Sequence, residues 1–408
     1  MNSRRLSTLC ALAFVLFFKL NSVYAQAETS PQAVKEWTVL VFLNGHNSLD
    51  SFGKENIDSM ATVGSTDQVN VVVQWASEAV GHTKRIYVKK GGYDVIQDMP
   101  PADMGDVKTF VNFVKWGVTK YPAKKYLIDI WDHGNGWHTE VVNSTEGAAR
   151  DTSARHAMDL SYDDLSGHNI TTEQLGQALT EVSKFTGGKI ELYGSDACLM
   201  AMAEVATEMT SAVKYFAGSE ETEPGAGWPY GPFFKQLMKN PTWDGGQAAK
   251  ALAHEYKAAY SGGVYGTQEV TFAAWDLSQM KGLIDAVKTL GRELAILGSS
   301  DLKVAANAVS ATQAFALADY RDLGDFVENL GKQSLRLSGK SLDDVRASLK
   351  NLVLESDVTT SYAKAHGVAV WLPSSGDWTT YGSRYSKLSF NQQTGWATFL
   401  AKVSVDLP

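Results

Sequence analysis

The residues best suited to chemistry are a cysteine and a histidine, each of which follows a strand-like run. Cys198 comes after the run at 189–193, and His133 comes after the run at 126–131. Open α/β sheets carry their active sites beyond the carboxyl ends of the strands, so the two side chains can meet there. A thiolate is a nucleophile, and an imidazole can take the thiol proton and return it to a leaving amine. The pair therefore predicts nucleophilic catalysis by a cysteine.

The surroundings of this pair strengthen the prediction. A helical pattern begins at Leu199, directly after Cys198, and the positive end of a helix dipole lowers the pKa of a thiol. Gly134 and Gly136 follow His133 within its motif and let a peptide backbone approach closely. The backbone N–H groups of Gly134 and Cys198 are therefore predicted to form an oxyanion hole.

The cysteine count depends on a predicted leader at residues 1–25. This segment carries Arg4 and Arg5, then an apolar run that contains Cys10, and it ends at Ala25. That pattern is typical of a cleaved secretory signal peptide. The mature chain would keep Cys198 alone, so it could form no intramolecular disulfide. We expect a protein that is secreted, periplasmic or at the cell surface, with no membrane segment after signal removal.

Charge narrows the range of partners. The formal net charge of the 408-residue chain is −8, whereas nucleic-acid binding usually needs a basic face. We therefore expect no nucleic-acid partner. A monomer that requires no cofactor is the expected form.

Strand-like runs alternate with amphipathic helical patterns along the chain. Several of the runs are continuously apolar, as expected for central strands that are buried on both faces. Strands that alternate with helices predict an α/β fold with a mostly parallel sheet and helices on both faces. The strand-like runs are 37–43, 69–75, 85–88, 126–131, 189–193, 214–217, 269–275 and 367–372. The helical patterns are 106–120, 172–185, 199–211, 246–260, 277–297 and 342–354.

Two regions differ from this pattern. Residues 139–168 are polar and weakly periodic, and a loop of that length in a compact domain is usually functional. Residues 276–408 are mainly helical in pattern and contain one strand at 366–372, which is expected to return to the main sheet. The predicted organisation is thus a leader at 1–25, a catalytic domain at 26–275 and a carboxyl-terminal helical region.

Four segments together resemble the clostripain family of cysteine peptidases. They are the Asn-rich turn Phe42–Asp50, the histidine motif Asp132–Trp137, the cysteine motif Ser195–Met200 and the acidic segment Gly218–Tyr230. Their order and their strand context agree with the family. Asn135 stands where the family more often has glycine, and the chain beyond about Gly245 adds little to the resemblance.

The resemblance implies a caspase-like three-layer sandwich and a secreted endopeptidase with a Cys198–His133 dyad that acts on proteins or peptides. It implies cleavage after basic residues, Arg or possibly Lys, with Asp196 in the primary specificity pocket. A carboxylate can pair there with a guanidinium, although Asp196 could instead cap the following helix. The acidic residues Glu220, Glu221 and Glu223 could form a pocket wall or a solvated loop face.

The resemblance also implies two further properties. Family members often cut themselves between the histidine and cysteine strands, which makes Arg150 and Arg155 candidate self-cleavage positions. Some members respond to calcium, for which Asp159, Asp163 and Asp164 could supply oxygen ligands, although their spacing does not form an EF-hand.

Two other functions stay open. A metal-dependent hydrolase could use Asp132, His133 and His138 with His46 nearby, but the chain has no His-Glu-x-x-His pattern. A catalytically inactive, secreted binding module could keep the caspase-like fold without the activity. The presence of Cys198 and His133 together with both glycines favours an active enzyme.

Overall fold

The computed structural model of the protein describes residues 34–138 and 159–407. The predicted leader lies outside the described residues, as do residues 139–158 of the polar segment. In the described part of the chain, no helix is both long and apolar enough to cross a membrane.

All the runs predicted as strands form strands, some extended or shortened by a few residues. The strands are β1 (Lys35–Gly45), β2 (Val69–Ser77), β3 (His82–Lys89), β4 (Gly92–Met99), β5 (Ala123–Trp131), β6 (Leu160–Asp163), β7 (His168–Ile170), β8 (Ile190–Asp196), β9 (Val213–Gly218), β10 (Ser261–Gly263), β11 (Gly266–Thr267), β12 (Thr271–Asp276), β13 (Tyr320–Asp322), β14 (Val353–Val358) and β15 (Ala369–Trp371).

The helices also follow the predicted patterns, with several more in the last third of the chain. They are α1 (Asp50–Ala61), α2 (Val107–Lys120), α3 (Thr172–Ser183), α4 (Ala203–Met209), α5 (Tyr230–Lys239), α6 (Gly245–Tyr260), α7 (Met280–Ala295), α8 (Ser299–Ala311), α9 (Leu323–Gly331), α10 (Gly339–Leu352), α11 (Ser375–Tyr385), α12 (Ser389–Thr394) and α13 (Ala397–Val403).

Nine strands form the main sheet in the order β14-β12-β9-β8-β5-β1-β2-β3-β4. The central strands from β9 to β2 run parallel, and the outer strands pair antiparallel. Parallel neighbours need crossover connections, which place helices on the sheet faces. The mostly parallel central sheet predicted from the sequence is confirmed.

Strand β1 shows why the central strands are apolar throughout. Leu40 and Phe42 pack into one apolar layer with α2, α3, α4 and α7, whereas Val41 and Leu43 pack into the opposite layer with α1, α5 and α6. Successive side chains of a strand point to opposite faces, so a strand covered on both sides must be apolar at every position. The three-layer arrangement of the prediction is confirmed.

The region after residue 275 is helical, as expected, but its strand was placed wrongly. The run at 367–372 forms β15, which pairs antiparallel with β13 in a separate two-stranded sheet. The strand that this region adds to the main sheet is β14, at its edge. The described residues from Val34 onward form one compact unit, because β14 joins the main sheet and α12 packs against α4.

Candidate active site

The carboxyl ends of β5 and β8 lie side by side, and both predicted catalytic residues follow them. Trp131 of β5 is in register with Asp196 of β8, and the Asp132 N–H donates to the Asp196 carbonyl oxygen at 3.2 Å. His133 and Cys198 each come two residues after this register pair. The sheet thus brings the two sequence motifs to the same edge.

Gly134 allows the two loops to touch. A Cβ atom at this position would lie 2.7 Å from the Cys198 carbonyl oxygen and 3.0 Å from the Ala197 Cβ. Contacts that short are not tolerated between such atoms, so any larger residue would push the histidine loop away from the cysteine loop. Glycine is therefore required here by the packing of the two loops.

A short strand holds the backbone around the histidine. The Ser161 N–H donates to the His133 carbonyl oxygen at 3.2 Å, and the Asn135 N–H donates to the Asp159 carbonyl oxygen at 2.8 Å. These bonds continue into the β6–β7 hairpin, so residues 160–168 are not part of the irregular loop predicted at 139–168. The hairpin thus fixes the backbone of His133.

The imidazole of His133 is half-buried and close to a serine. Its Nε2 lies 3.0 Å from the Ser48 Oγ, on the turn between β1 and α1. Burial lowers the pKa of His133 below its usual range, because the charged imidazolium loses solvation. The ring is therefore neutral at neutral pH and able to accept a proton.

Cys198 is the one cysteine among the described residues, and its thiol is held by a backbone segment. The Glu223 N–H donates to the Cys198 Sγ at 3.3 Å, and the Sγ lies 3.8 Å from the Glu223 carbonyl oxygen. Burial raises the pKa of the thiol to about 11. The resting sulfur is therefore a protonated thiol that needs a base before it can attack.

The predicted helix N-terminus at Cys198 is wrong. Helix α4 begins only at Ala203, and Leu199 adopts a φ of 65° that turns the chain away from a helical path. The Leu199 N–H instead donates to the Glu221 carbonyl oxygen at 3.1 Å. No helix dipole acts directly on the thiol, and Asp196 caps no helix.

Asp196 is buried beside the cysteine loop and accepts two hydrogen bonds on one oxygen. The Trp228 N–H donates to its Oδ2 at 3.0 Å, and the Tyr230 hydroxyl lies 2.8 Å from the same atom. Burial raises the pKa of Asp196 to about 6. At neutral pH this carboxylate carries a charge close to the thiol.

A second buried acid, Asp129, shares the same tyrosine. The Tyr230 hydroxyl lies 2.6 Å from Asp129 Oδ2 as well as close to Asp196, although it has only one proton to donate. One of the two carboxyls must then carry a proton. Burial and the charge of Asp196 raise the pKa of Asp129 well above its usual range, so Asp129 is the neutral partner.

The three acidic residues of the segment after β9 take different places. Glu220 accepts the Gly367 N–H at 3.0 Å, and Glu221 accepts the Ala316 N–H at 3.2 Å. Glu223 alone points towards Asp196: burial and then the charge of Asp196 raise its pKa well above the usual range. Both carboxyl oxygens of Glu223 are buried, and a hydrogen bond from the Glu223 side chain offsets part of the rise in the pKa of Asp196.

The carboxyl-terminal region braces the loops of the site. The Tyr320 hydroxyl donates to the Asn135 carbonyl oxygen in the histidine loop at 2.7 Å. The Ala369 N–H donates to the Ala201 carbonyl oxygen, just after the cysteine, at 2.9 Å. Together with the Ala316–Glu221 bond, these contacts reach the histidine, cysteine and acidic loops.

The residues proposed for a metal centre are committed to other partners. Asp132 accepts amide N–H groups from Asn44 at 2.8 Å and Asn47 at 2.6 Å. His46 bonds to Asp163 at 2.9 Å and His138 to Asp319 at 2.9 Å, so the histidines do not converge. Among the described residues, a set able to ligate a metal forms at His254, Glu355 and Asp357, on α6 and β14, and not around His133.

Two of the three carboxylates considered for calcium, Asp159 and Asp163, are engaged by donors of this chain. Both oxygens of Asp159 bind the guanidinium of Arg384. The oxygens of Asp163 accept from His46, from the Met104 N–H and from the Ser166 N–H. Calcium binding near these acids therefore stays a prediction that the contacts of Asp159 and Asp163 do not favour.

The sequence missed several residues of the site. Asp129 left a signal, because it is the one charged residue in the otherwise apolar run at 126–131. Ser48 and Tyr230 lie within segments that the resemblance covers, but nothing in their spacing marked them. The candidate self-cleavage positions Arg150 and Arg155 lie outside the described residues.

Solved structures share this fold at low sequence identity. An inactive zymogen of a C11 protease from Parabacteroides distasonis aligns with a TM-score of 0.69 and 18% identity, over 89% of this chain and 99% of that chain. A secreted C11 cysteine protease from Bacteroides thetaiotaomicron, in complex with an irreversible peptide inhibitor, aligns with a TM-score of 0.67 and 19% identity, over the same shares. No curated protein matches the chain significantly.

The sequence itself carries the family assignment. The family model described as the clostripain family matches residues 41–402, which include the histidine motif, the cysteine motif and most of the carboxyl-terminal region. The sequence resemblance ended near Gly245, so this match extends it to α13. The chain belongs to the clostripain family of C11 cysteine peptidases.

Proposed function

We propose that the protein is an exported endopeptidase that cleaves after basic residues, with Cys198 as nucleophile and His133 as its base. The observation that carries the specificity is the buried Asp196 carboxylate at the carboxyl end of β8, two residues before Cys198. A carboxylate away from water favours a cationic side chain, and Arg can bind it through two parallel hydrogen bonds.

The protonation states support a thiol–imidazole resting pair. Because the pKa of Cys198 is raised to about 11 and that of His133 is lowered, the proton stays on sulfur until substrate binds. His133 then removes the Sγ proton as Sγ attacks the scissile carbonyl carbon, which gives an imidazolium and a tetrahedral oxyanion. The imidazolium returns that proton to the leaving amine, and an acyl-thioester remains.

Water completes the cycle through the same two residues. Neutral His133 takes a proton from a water molecule as the water oxygen attacks the thioester carbonyl carbon. The Cys198 thiolate then leaves and regains a proton from the His133 imidazolium. The N–H groups of Gly134 and Cys198 are the proposed donors to both oxyanions. The short approach between Gly134 and the Cys198 backbone supports this assignment.

The specificity pocket is proposed to hold two acids. Glu223 is buried beside Asp196, and burial and the Asp196 charge raise its pKa, so the substrate-free site keeps at least one excess proton there. A guanidinium or ammonium group would displace that proton and pair with the carboxylates. The Glu223 backbone also contacts the thiol, so substrate entry requires a shift of this segment.

A panel of fluorogenic peptides that differ only at the residue before the cut tests the proposal. Under reducing conditions we expect hydrolysis of the Arg and Lys peptides, with kcat/KM at least about a hundred-fold above that of the matched Leu peptide, since the Leu side chain leaves the buried carboxylates unpaired. Hydrolysis of none of them, or equal hydrolysis of all three, would refute the proposed specificity.

We further propose that the enzyme cuts its own chain after Arg150 or Arg155. Intact-mass analysis of the purified protein should then show two fragments, with a new amino terminus at Asp151 or His156. The Cys198→Ala variant, prepared in the same way, should stay whole. A fully active enzyme that remains in one piece would refute the proposed self-cleavage.

A further inference from the structure

The turn between β1 and α1 reaches the site through a serine. Ser48 is exposed, and its Oγ lies 3.0 Å from the Nε2 of His133. The distance is that of a hydrogen bond. The contact joins two segments that are 85 positions apart in the chain, so it depends on the fold and not on local sequence.

This turn is fixed to the residue that precedes His133. The Asn47 side chain donates to Asp132 Oδ1 at 2.6 Å and to the Tyr162 carbonyl oxygen at 2.8 Å. Asn47 Oδ1 accepts the Leu49 N–H at 2.9 Å, which closes the turn around Ser48. The turn that carries Ser48 is therefore fixed relative to the backbone of the His133 loop.

The backbone of His133 is fixed as well. Asp132 is buried and bonded on both oxygens to the Asn-rich turn, and the His133 carbonyl oxygen accepts from Ser161. Because both backbones are fixed, the Ser48 hydrogen bond restricts rotation of the His133 side chain.

We propose that Ser48 is the positioning residue of His133: its Oγ accepts the Nε2 proton and thereby leaves Nδ1 to take the proton of the Cys198 thiol. The proposal rests on the proposed Cys–His chemistry. A neutral imidazole has one N–H donor and one acceptor, so a partner at Nε2 selects the tautomer. The Nε2–H bond persists when Nδ1 gains its proton, and it therefore stabilises the imidazolium of the transition state.

Kinetics of three variants test the role. Ser48→Ala should lower kcat about ten-fold or more with KM for an Arg peptide nearly unchanged, because a hydrogen bond to a charged group is lost in the transition state. Ser48→Thr keeps the hydroxyl and should restore most of kcat. Ser51→Ala, at a second exposed serine three positions later, is the matched control and should behave as the parent.

A spectroscopic readout separates this proposal from the proposed function. Nitrogen-15 NMR of the His133 ring, assigned with His133→Asn, should show the Nε2–H tautomer in the parent and in Cys198→Ala, and a mixture of tautomers in Ser48→Ala. This readout needs no hydrolysis. An unchanged tautomer and unchanged kcat in Ser48→Ala would overturn the role of Ser48, whereas an inactive parent with the expected tautomer would count only against the peptidase proposal.

Discussion

Replacement of Cys198 by alanine is expected to abolish peptide hydrolysis, with kcat lowered by roughly 10⁴-fold or more. Alanine removes the sulfur that would form the acyl-enzyme, and the other described residues near the site offer no thiol in its place. The measurement is steady-state hydrolysis of an Arg peptide, with active-site concentration determined by alkylation of the parent enzyme.

The fold should survive this change, which makes the result interpretable. Among the described residues, the Cys198 Sγ makes two hydrogen-bond contacts, both with the Glu223 backbone, at 3.3 and 3.8 Å. Alanine keeps the Cβ that packs against the apolar core, so the melting temperature should move by a few degrees at most. Iodoacetamide should label the parent at a rate that rises with pH, because the pKa of the thiol is raised to about 11. Full activity in folded Cys198→Ala would show that another nucleophile acts.

Replacement of Asp196 by asparagine is expected to remove most of the preference for basic residues. Asparagine keeps an oxygen that can accept from the Trp228 N–H and the Tyr230 hydroxyl, but it lacks the charge. We expect kcat/KM for the Arg peptide to fall about a hundred-fold, mainly through KM, because a buried charge-assisted pair is lost. Hydrolysis of the Leu peptide should change little.

The pH dependence provides an independent check on the same residue. Burial raises the pKa of Asp196 to about 6, so the carboxylate is charged above that pH and neutral below it. KM of the parent for the Arg peptide should therefore rise as the pH falls through about 6, and this rise should be absent from Asp196→Asn.

Glu221→Gln is the matched control for Asp196→Asn. Glu221 lies in the same acidic segment, but its side chain accepts hydrogen bonds from the Thr222 and Ala316 N–H groups and is not proposed to line the specificity pocket. A glutamine side-chain oxygen can still accept both of these hydrogen bonds. Equal losses in the two variants would mean that general acidity, and not the Asp196 carboxylate, determines the preference.

The architecture was predictable where burial determines residue type. The central strands are covered on both faces, so they read as apolar runs. Strand β4 (GYDVIQDM) was not predicted because it lies at the sheet edge, where its half-exposed and exposed positions tolerate polar residues. Strand β14 was missed because it directly follows α10, and its first two residues, Val353 and Leu354, were included in the helical pattern at 342–354.

The site was predictable only in part, for a different reason. Cys198 and His133 were proposed because they follow recognisable strands and match a family motif. The structure places both after the ends of neighbouring strands, and their catalytic roles stay a prediction. The apolar residues 199–202 suggested a helix, yet they are buried under the acidic segment as a turn, with Leu199 at a φ of 65°. The contacts of Ser48, Asp129 and Tyr230 depend on the register of β1, β5 and β8, which spacing along the chain does not determine.

The contacts of the carboxyl-terminal region with the loops of the site affect how the enzyme can lose activity. Ala316, Tyr320 and Ala369 hold the three loops of the site, although none of them is proposed to touch substrate. Damage to this part of the chain, by a foreign protease or by partial unfolding, would therefore inactivate the enzyme while every proposed catalytic side chain remained in place. The stability of the active conformation therefore depends on residues that are distant in sequence from the nucleophile.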